Sequence, residues 1–174
     1  GSNPRDEAFF NQAKKEAYKK AKLCAFGSTA RRVNSVKSDP NLNALLHAET
    51  SVISIFGKTW RFHSSIGLGL EDTENESLIH QSVQFLKEND RSVIFDAEHF
   101  FDGFKDAASF ALSMIKAAET AGADIIVLCD TNGGTLTTEI AKIVKKVKEI
   151  IDAPIGIHTH NDGGLGVANT LAAV

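Results

Sequence analysis

The amino-acid sequence predicts a parallel α/β fold, and three observations predict it. Short apolar runs alternate with longer amphipathic stretches, in the order helix, strand, helix, strand. The short runs start roughly 30 to 40 residues apart, the spacing of strand-plus-helix units. The runs are continuously apolar rather than alternating, as in parallel strands buried on both faces.

The first element is a helix. Asn3 serves as its N-cap, Pro4 occupies its first turn and Asp6 follows three residues after the cap. Phe9, Ala13, Ala17 and Ala21 form an apolar line at four-residue spacing, so the helix is expected to reach about Lys22. The first strand is Leu23-Cys24-Ala25-Phe26, leading into Gly27-Ser28-Thr29. A polar loop with Arg31, Arg32 and Lys37 precedes a short helix from Pro40 to about Ala48. Ser51 to Phe56 is the second strand, followed by Gly57-Lys58-Thr59-Trp60-Arg61-Phe62-His63. A helix spans Glu71 to Asn89, with an acidic first turn and Ile79, Val83 and Leu86 on one face. Ser92 to Phe95 is the third strand. Phe104 to Ala121 is a helix facing inward at Ala108, Ala111, Ile115 and Ala118, and Gly122 stops it. Ile125 to Leu128 is the fourth strand, and Thr135 to Asp152 a helix apolar at Ile140, Val144, Val147 and Ile151. Pro154 to Ile157 is the fifth strand, and Gly164 to Val174 opens a further helix.

Composition bounds the function. The 174 residues, 43% hydrophobic and 24% charged, suffice for one ordinary domain with a core. A net charge of -3 gives no electrostatic case for nucleic acid or an anionic membrane surface. No apolar run approaches a bilayer span and no signal-peptide pattern opens the chain. Cys24 and Cys129 each lie in an apolar run and read as reduced core cysteines of a cytoplasmic protein. No G-x-G-x-x-G, P-loop, H-E-x-x-H or C-x-x-C pattern occurs.

Polar residues gather where the strands end: Ser28 and Thr29, Lys58 and Thr59, Asp96 and Glu98, Asp130 and Thr131, His158 and His160. In parallel α/β proteins these ends meet on one face, where active sites form. His158 and His160, at i and i+2 of a strand, project to the same side. Two readings of this pair stand on the residues alone: ligands of one divalent metal, or polar residues closing a buried strand. Asp96 and Glu98 are either solvated, paired with Arg31 or Lys58, or one of them is a confined acid or base or supports a metal ligand from behind. The Asp130-Thr131-Asn132-Gly133-Gly134 stretch is either a turn with a helix cap or a grip for a substrate carboxylate. Phe100, Phe101 and Phe104 read as packing. His47 and His80 read as surface or core residues, whereas His63, just past a strand end, is a weaker site candidate.

Several motifs in this order resemble a known family. They are Phe26-Gly27-Ser28-Thr29 with Arg31-Arg32, Phe56-Gly57-Lys58-Thr59-Trp60, and Phe95-Asp96-Ala97-Glu98-His99-Phe100-Phe101-Asp102-Gly103. Cys129-Asp130-Thr131-Asn132-Gly133-Gly134, His158-Thr159-His160-Asn161-Asp162 and Gly166-Val167-Ala168-Asn169 complete the series. Together they are similar to the 2-isopropylmalate synthase, homocitrate synthase and HMG-CoA lyase superfamily of metal-dependent TIM barrels, and most to its citramalate synthase branch. The resemblance implies that His158 and His160 are metal ligands and that Glu98 is catalytic. It implies that Thr131 helps hold a keto-acid carboxylate, with Asp96 and His63 at the substrate pocket. The implied reaction is a Claisen condensation of acetyl-CoA with a 2-keto acid, pyruvate in that branch, with a divalent metal (Mg, Mn or Zn) as cofactor. The implied product is citramalate, a precursor of isoleucine; the isopropylmalate and homocitrate branches would take other keto acids.

The family opens with a strand ending D-T-x-L-R-D-G, and nothing in residues 1–174 matches it. Five strand-helix units fall short of the eight of a (β/α)8 barrel, which needs about 250 residues. The chain is therefore expected to be a single domain, residues 1–174, forming strands three to seven of a catalytic TIM barrel. Such an open sheet is expected to pair with another copy, as a homodimer or higher oligomer, or to belong to a longer chain. Alone it is expected to be inactive. A non-catalytic α/β structural piece is the alternative of another class.

Overall fold

The computed structural model describes residues 3–16, 18–33 and 35–174. Five parallel strands form one sheet: β1 (Cys24–Ser28), β2 (Val52–Lys58), β3 (Ser92–Glu98), β4 (Ile125–Asp130) and β5 (Ile155–Thr159). Their order in space is their order in the chain. With no reversal point, every crossover turns the same way and the helices accumulate on one side, which is how a barrel wall is built and a doubly wound sheet is not.

The helices are α1 (Pro4–Ala13), α2 (Pro40–His47), α3 (Asp72–Glu88), α4 (Phe100–Thr120), α5 (Thr137–Lys148) and α6 (Gly166–Ala173). Two tighter elements stand between them, a 3₁₀ turn at Val36–Ser38 and a π-helical turn at His63–Gly67. The caps follow local chemistry. Asn3 Oδ1 accepts from the amides of Arg5 and Asp6, and Asp39 Oδ1 accepts from those of Asn41 and Leu42. At α3 the Glu74 carboxylate accepts from the Glu71 amide at 2.9 Å.

The core lies between sheet and helices. Ala25, Ile53, Ile55, Val93, Phe95, Ala97, Ile126 and Leu128 point to the helices and are fully buried. Leu42 and Leu45 of α2, Ile79, Val83 and Leu86 of α3, Ala111, Ile115 and Ala118 of α4, and Ile140 and Val147 of α5 close over them. Phe100 and Phe101 are buried in this layer, as packing residues. The opposite side of the sheet is concave and open: Phe26 there is 54% exposed.

Four expectations are corrected. α1 stops at Ala13 rather than near Lys22: residues 14–16 and 18–22 are all exposed, so no burial supports further turns. Of its expected inward line only Ala13 is buried; Phe9 is 56% exposed, Ala21 is exposed, and Ala17 lies outside the described residues. α4 begins at Phe100, four residues before the expected Phe104, and bends at Ala107 (φ -148°, ψ 83°). Its early start lays Gly103 on the strand β2 exit, where a Cβ would sit 2.1 Å from the Thr59 carbonyl oxygen, so only glycine fits. α5 spans Thr137–Lys148, shorter than Thr135 to Asp152, although Ile151 beyond it stays in the core. Cys24 is not a core residue: it sits exposed on β1, at the margin of the concave face.

Candidate active site

Strand parity decides what each polar strand end does. Residues 54, 56 and 58 of β2 and 94, 96 and 98 of β3 turn to the concave face; their neighbours turn to the helices. Of the ten polar strand-end residues, several serve the scaffold. Thr59 is fully buried and donates to the Glu98 carbonyl at 2.7 Å. Asp130 is fully buried on the helix side, accepting from Thr135 Oγ1 at 2.8 Å and facing the Thr135 amide and Asn169 Nδ2 at 3.4 and 3.5 Å. Asn169 extends that network to the Thr135 carbonyl and the Thr137 hydroxyl. Thr29 is buried too. These residues close their strands by hydrogen bonding and burial within the scaffold.

The remaining polar ends share the concave face. Lys58 and Glu98 are register partners on β2 and β3 and form an ion pair, with both side chains 24% exposed. Lys58, not Arg31, is thus the partner of Glu98. Asn75 of α3 fixes this exit by donating to the Lys58 carbonyl at 2.9 Å. Two residues earlier, Asp96 accepts from Ser54 at 3.0 Å through Oδ1. Burial pushes the Asp96 carboxyl above its ordinary value, against the lowering effect of the Ser54 bond and of His158.

His158 and His160 stand side by side, ring centroids 4.9 Å apart and planes inclined by 31°. Their loop is locked to the one after β4. The His160 amide donates to the Asp130 carbonyl at 3.2 Å, and the Gly163 amide donates to the Gly133 carbonyl at 3.0 Å. Gly133 adopts φ +61°, and a Cβ there would lie 2.9 Å from the His160 carbonyl oxygen. Thr131 begins this loop and accepts the His99 amide at 2.9 Å through its hydroxyl oxygen. That leaves the hydroxyl proton of Thr131 to donate elsewhere.

His63 lies at the rim. Its ring meets that of His99 edge to face at 4.4 Å and that of Trp60 at 4.9 Å. Burial, then His99 and Lys58, hold its pKa below the ordinary histidine value, which favours the neutral imidazole. His99 has φ 55°, and its Nδ1 lies 3.2 Å from Asp102. The structure thus gathers Asp96, Glu98, His158 and His160 on one face, with Thr131 and His63 at its mouth.

Two participants escape sequence reasoning. His99 links the β3 exit to Thr131 through its backbone, a contact set by a positive φ. Cys129 reads as a core residue and is 5% exposed, yet it belongs to the concave side: its register partner is His158. The nitrogen, sulfur and carboxylate atoms of His158, Cys129 and Asp96 lie within 4.8 Å of one another. Burial raises the Cys129 thiol well above its ordinary pKa, and Asp96 and Glu98 add to the rise. The donor chemistry of the face, imidazole nitrogen beside carboxylate oxygen, fits a divalent cation. Among the described residues no helix is long and apolar enough to cross a membrane.

Comparison with known proteins agrees with this architecture. The profile of the HMGL-like family matches residues 8–174. The (R)-citramalate synthase of Geobacter sulfurreducens is 51% identical over 174 residues, covering 100% of this chain and 33% of that protein. Homocitrate synthase AksA of Methanopyrus kandleri is 32% identical over 134 residues, covering 77% of this chain and 33% of that protein. The chain thus spans about a third of the length of the curated relatives it matches. Hydroxymethylglutaryl-CoA lyase from Pseudomonas aeruginosa superposes with a TM-score of 0.77 at 13% identity, over 98% of this chain and 54% of that one. The five-stranded sheet is accordingly part of a TIM barrel, and the chain belongs to the HMGL-like family.

Proposed function

We propose that the polypeptide carrying this chain is a citramalate-synthase-type acyltransferase that condenses acetyl-CoA with pyruvate. The observation that carries this reading is the similarity to (R)-citramalate synthase, which runs through the whole chain at 51% identity. Against homocitrate synthase the identity is 32%, over a shorter stretch.

The side chains of the concave face suit the reaction. Acetyl-CoA must lose a proton from its methyl carbon. That carbon then bonds to the keto carbon of pyruvate, and water splits the thioester to free CoA. Glu98 is the proposed catalytic carboxylate, oriented by Lys58. The Thr131 hydroxyl, held by the His99 amide, donates to the keto-acid carboxylate. Asp96 and the neutral ring of His63 border the same substrate space. His158 and His160 would hold a divalent cation (Mg, Mn or Zn), which when bound supplies Lewis-acid polarisation of the keto carbonyl. Within this reading, residues 1–174 are one domain, a section of the catalytic barrel. They do not turn over substrate alone.

The test is CoA release by the full-length gene product, given acetyl-CoA with pyruvate, 2-ketoisovalerate or 2-oxoglutarate. Pyruvate is expected to give the highest kcat/KM. Preference for 2-ketoisovalerate or 2-oxoglutarate would move the protein to the isopropylmalate or homocitrate branch. Absence of turnover with all three would leave a structural α/β module.

A further inference from the structure

Beneath the histidine pair the concave face carries a second donor set. Asp96, Cys129 and His158 come from three adjacent strands, β3, β4 and β5. Cys129 and His158 are direct register partners, and Asp96 pairs with Val127, two residues before Cys129. All three side chains therefore leave the sheet on the same side, in one patch. We propose that Asp96, Cys129 and His158 bind a thiophilic divalent cation of the zinc type, at a site that overlaps the histidine pair through His158 but does not use His160.

Three observations support the site. The first is the separation of the ligand atoms, all within 4.8 Å of one another. Zinc bonds of about 2.0 to 2.3 Å in a tetrahedron put ligand atoms roughly 3.3 to 3.8 Å apart, within a side-chain rotation of this arrangement. The second is orientation. Ser54 donates to Asp96 Oδ1 at 3.0 Å, which fixes the carboxylate and leaves Oδ2 for a cation. The third is the weak engagement of the sulfur, which reaches the Val127 carbonyl only at 3.8 Å. Sulfur with imidazole and one carboxylate selects zinc, cadmium or cobalt over magnesium, which prefers oxygen. His158 is exposed, so solvent reaches the site.

The site shares His158 with the pair proposed to hold the catalytic cation, and the inference rests on that reading only for its consequence. A cation held by Cys129 draws His158 away from His160. A thiophilic metal seated there would therefore inhibit the condensation, whichever cation the histidine pair holds for it.

Cobalt(II) titration of the full-length protein tests the site. A thiolate-to-cobalt charge-transfer band is expected. It should vanish in Cys129→Ser and Cys129→Ala, and persist in Cys24→Ser and His160→Ala. Asp96→Asn, on another strand, should keep the band and raise the cobalt Kd about tenfold. A cobalt spectrum without a thiolate band, abolished by His160→Ala, overturns this site while leaving the proposed catalytic centre intact. A band that survives both Cys129 variants overturns it as well. The expected band in a protein that condenses no keto acid supports this site and removes the proposed reaction.

Discussion

The two faces of the sheet are built from the same five strands and behave in opposite ways. Toward the helices, Ile53, Ile55, Phe95, Ala97, Ile126 and Leu128 are fully buried, and the Asp130 carboxylate is enclosed in hydrogen bonds. On the concave face, Phe26 is 54% exposed, and Ser54, Lys58, Asp96, Glu98 and His158 stand within reach of solvent or one another. One residue step along a strand separates the two regimes. Asp130 and Cys129 are neighbours in sequence, and the first supports the scaffold while the second faces the site. Polarity at a strand end therefore does not by itself mark chemistry; polarity combined with parity does.

Substitutions can break this contrast. The largest effect is expected on the concave face: His160→Ala in the full-length protein should lower turnover about a thousandfold or more. Its urea-unfolding midpoint should stay close to that of the unmodified protein. A comparable loss of stability would show that the face is structural. Next comes the helix side. Phe95→Ala should cost about 3 to 5 kcal/mol in urea denaturation, because Phe95 is fully buried against Gly57 and Ile79. Asp130→Ala should cost about 3 kcal/mol by the same measurement, since it strands the Thr135 hydroxyl and Asn169 amide in a buried layer.

The smallest effect sharpens the comparison through pH. Burial holds the Asp96 carboxyl above its ordinary value of 3.8, so near and above that value the folded protein keeps a proton the unfolded chain has lost. Asp96 thus contributes a fall in stability as pH rises, from the ordinary aspartate value up to its own raised one. Asp96→Asn should flatten that part of the stability profile, read by urea unfolding in a chelating buffer. A profile unchanged by the substitution would place Asp96 in an environment no drier than the unfolded chain's.

The strands were legible because a parallel strand buried on both sides is apolar throughout, and all five runs mark real strands. Their ends were less so. β2 continues to Lys58 and β3 to Glu98, because the backbone ladder persists beyond the apolar run, with Lys58 still paired to Glu98. Helix ends failed for tertiary reasons. The early start of α4 depends on His99 at φ 55° and on Gly103 against Thr59, neither of which periodicity records. The concave face was half legible. Histidines and carboxylates announce themselves by type, and H-x-H spacing correctly puts two rings together. Cys129 does not, since a cysteine in an apolar run looks the same whichever way it points.

The contact of Gly133 with His160 and Asp162 also bears on how the protein can vary. The loops after β4 and β5 touch backbone to backbone, so neither can lengthen without displacing the other, and insertions there are expected to be purged. The tip of the loop after β2 is under no such restraint. A side chain added at Gly67 would meet nothing within 4 Å, and Ile66 is 74% exposed. Divergence among relatives should therefore collect at the rim beside His63, leaving the histidine pair and Thr131 in a fixed frame while the surroundings of that frame are free to change.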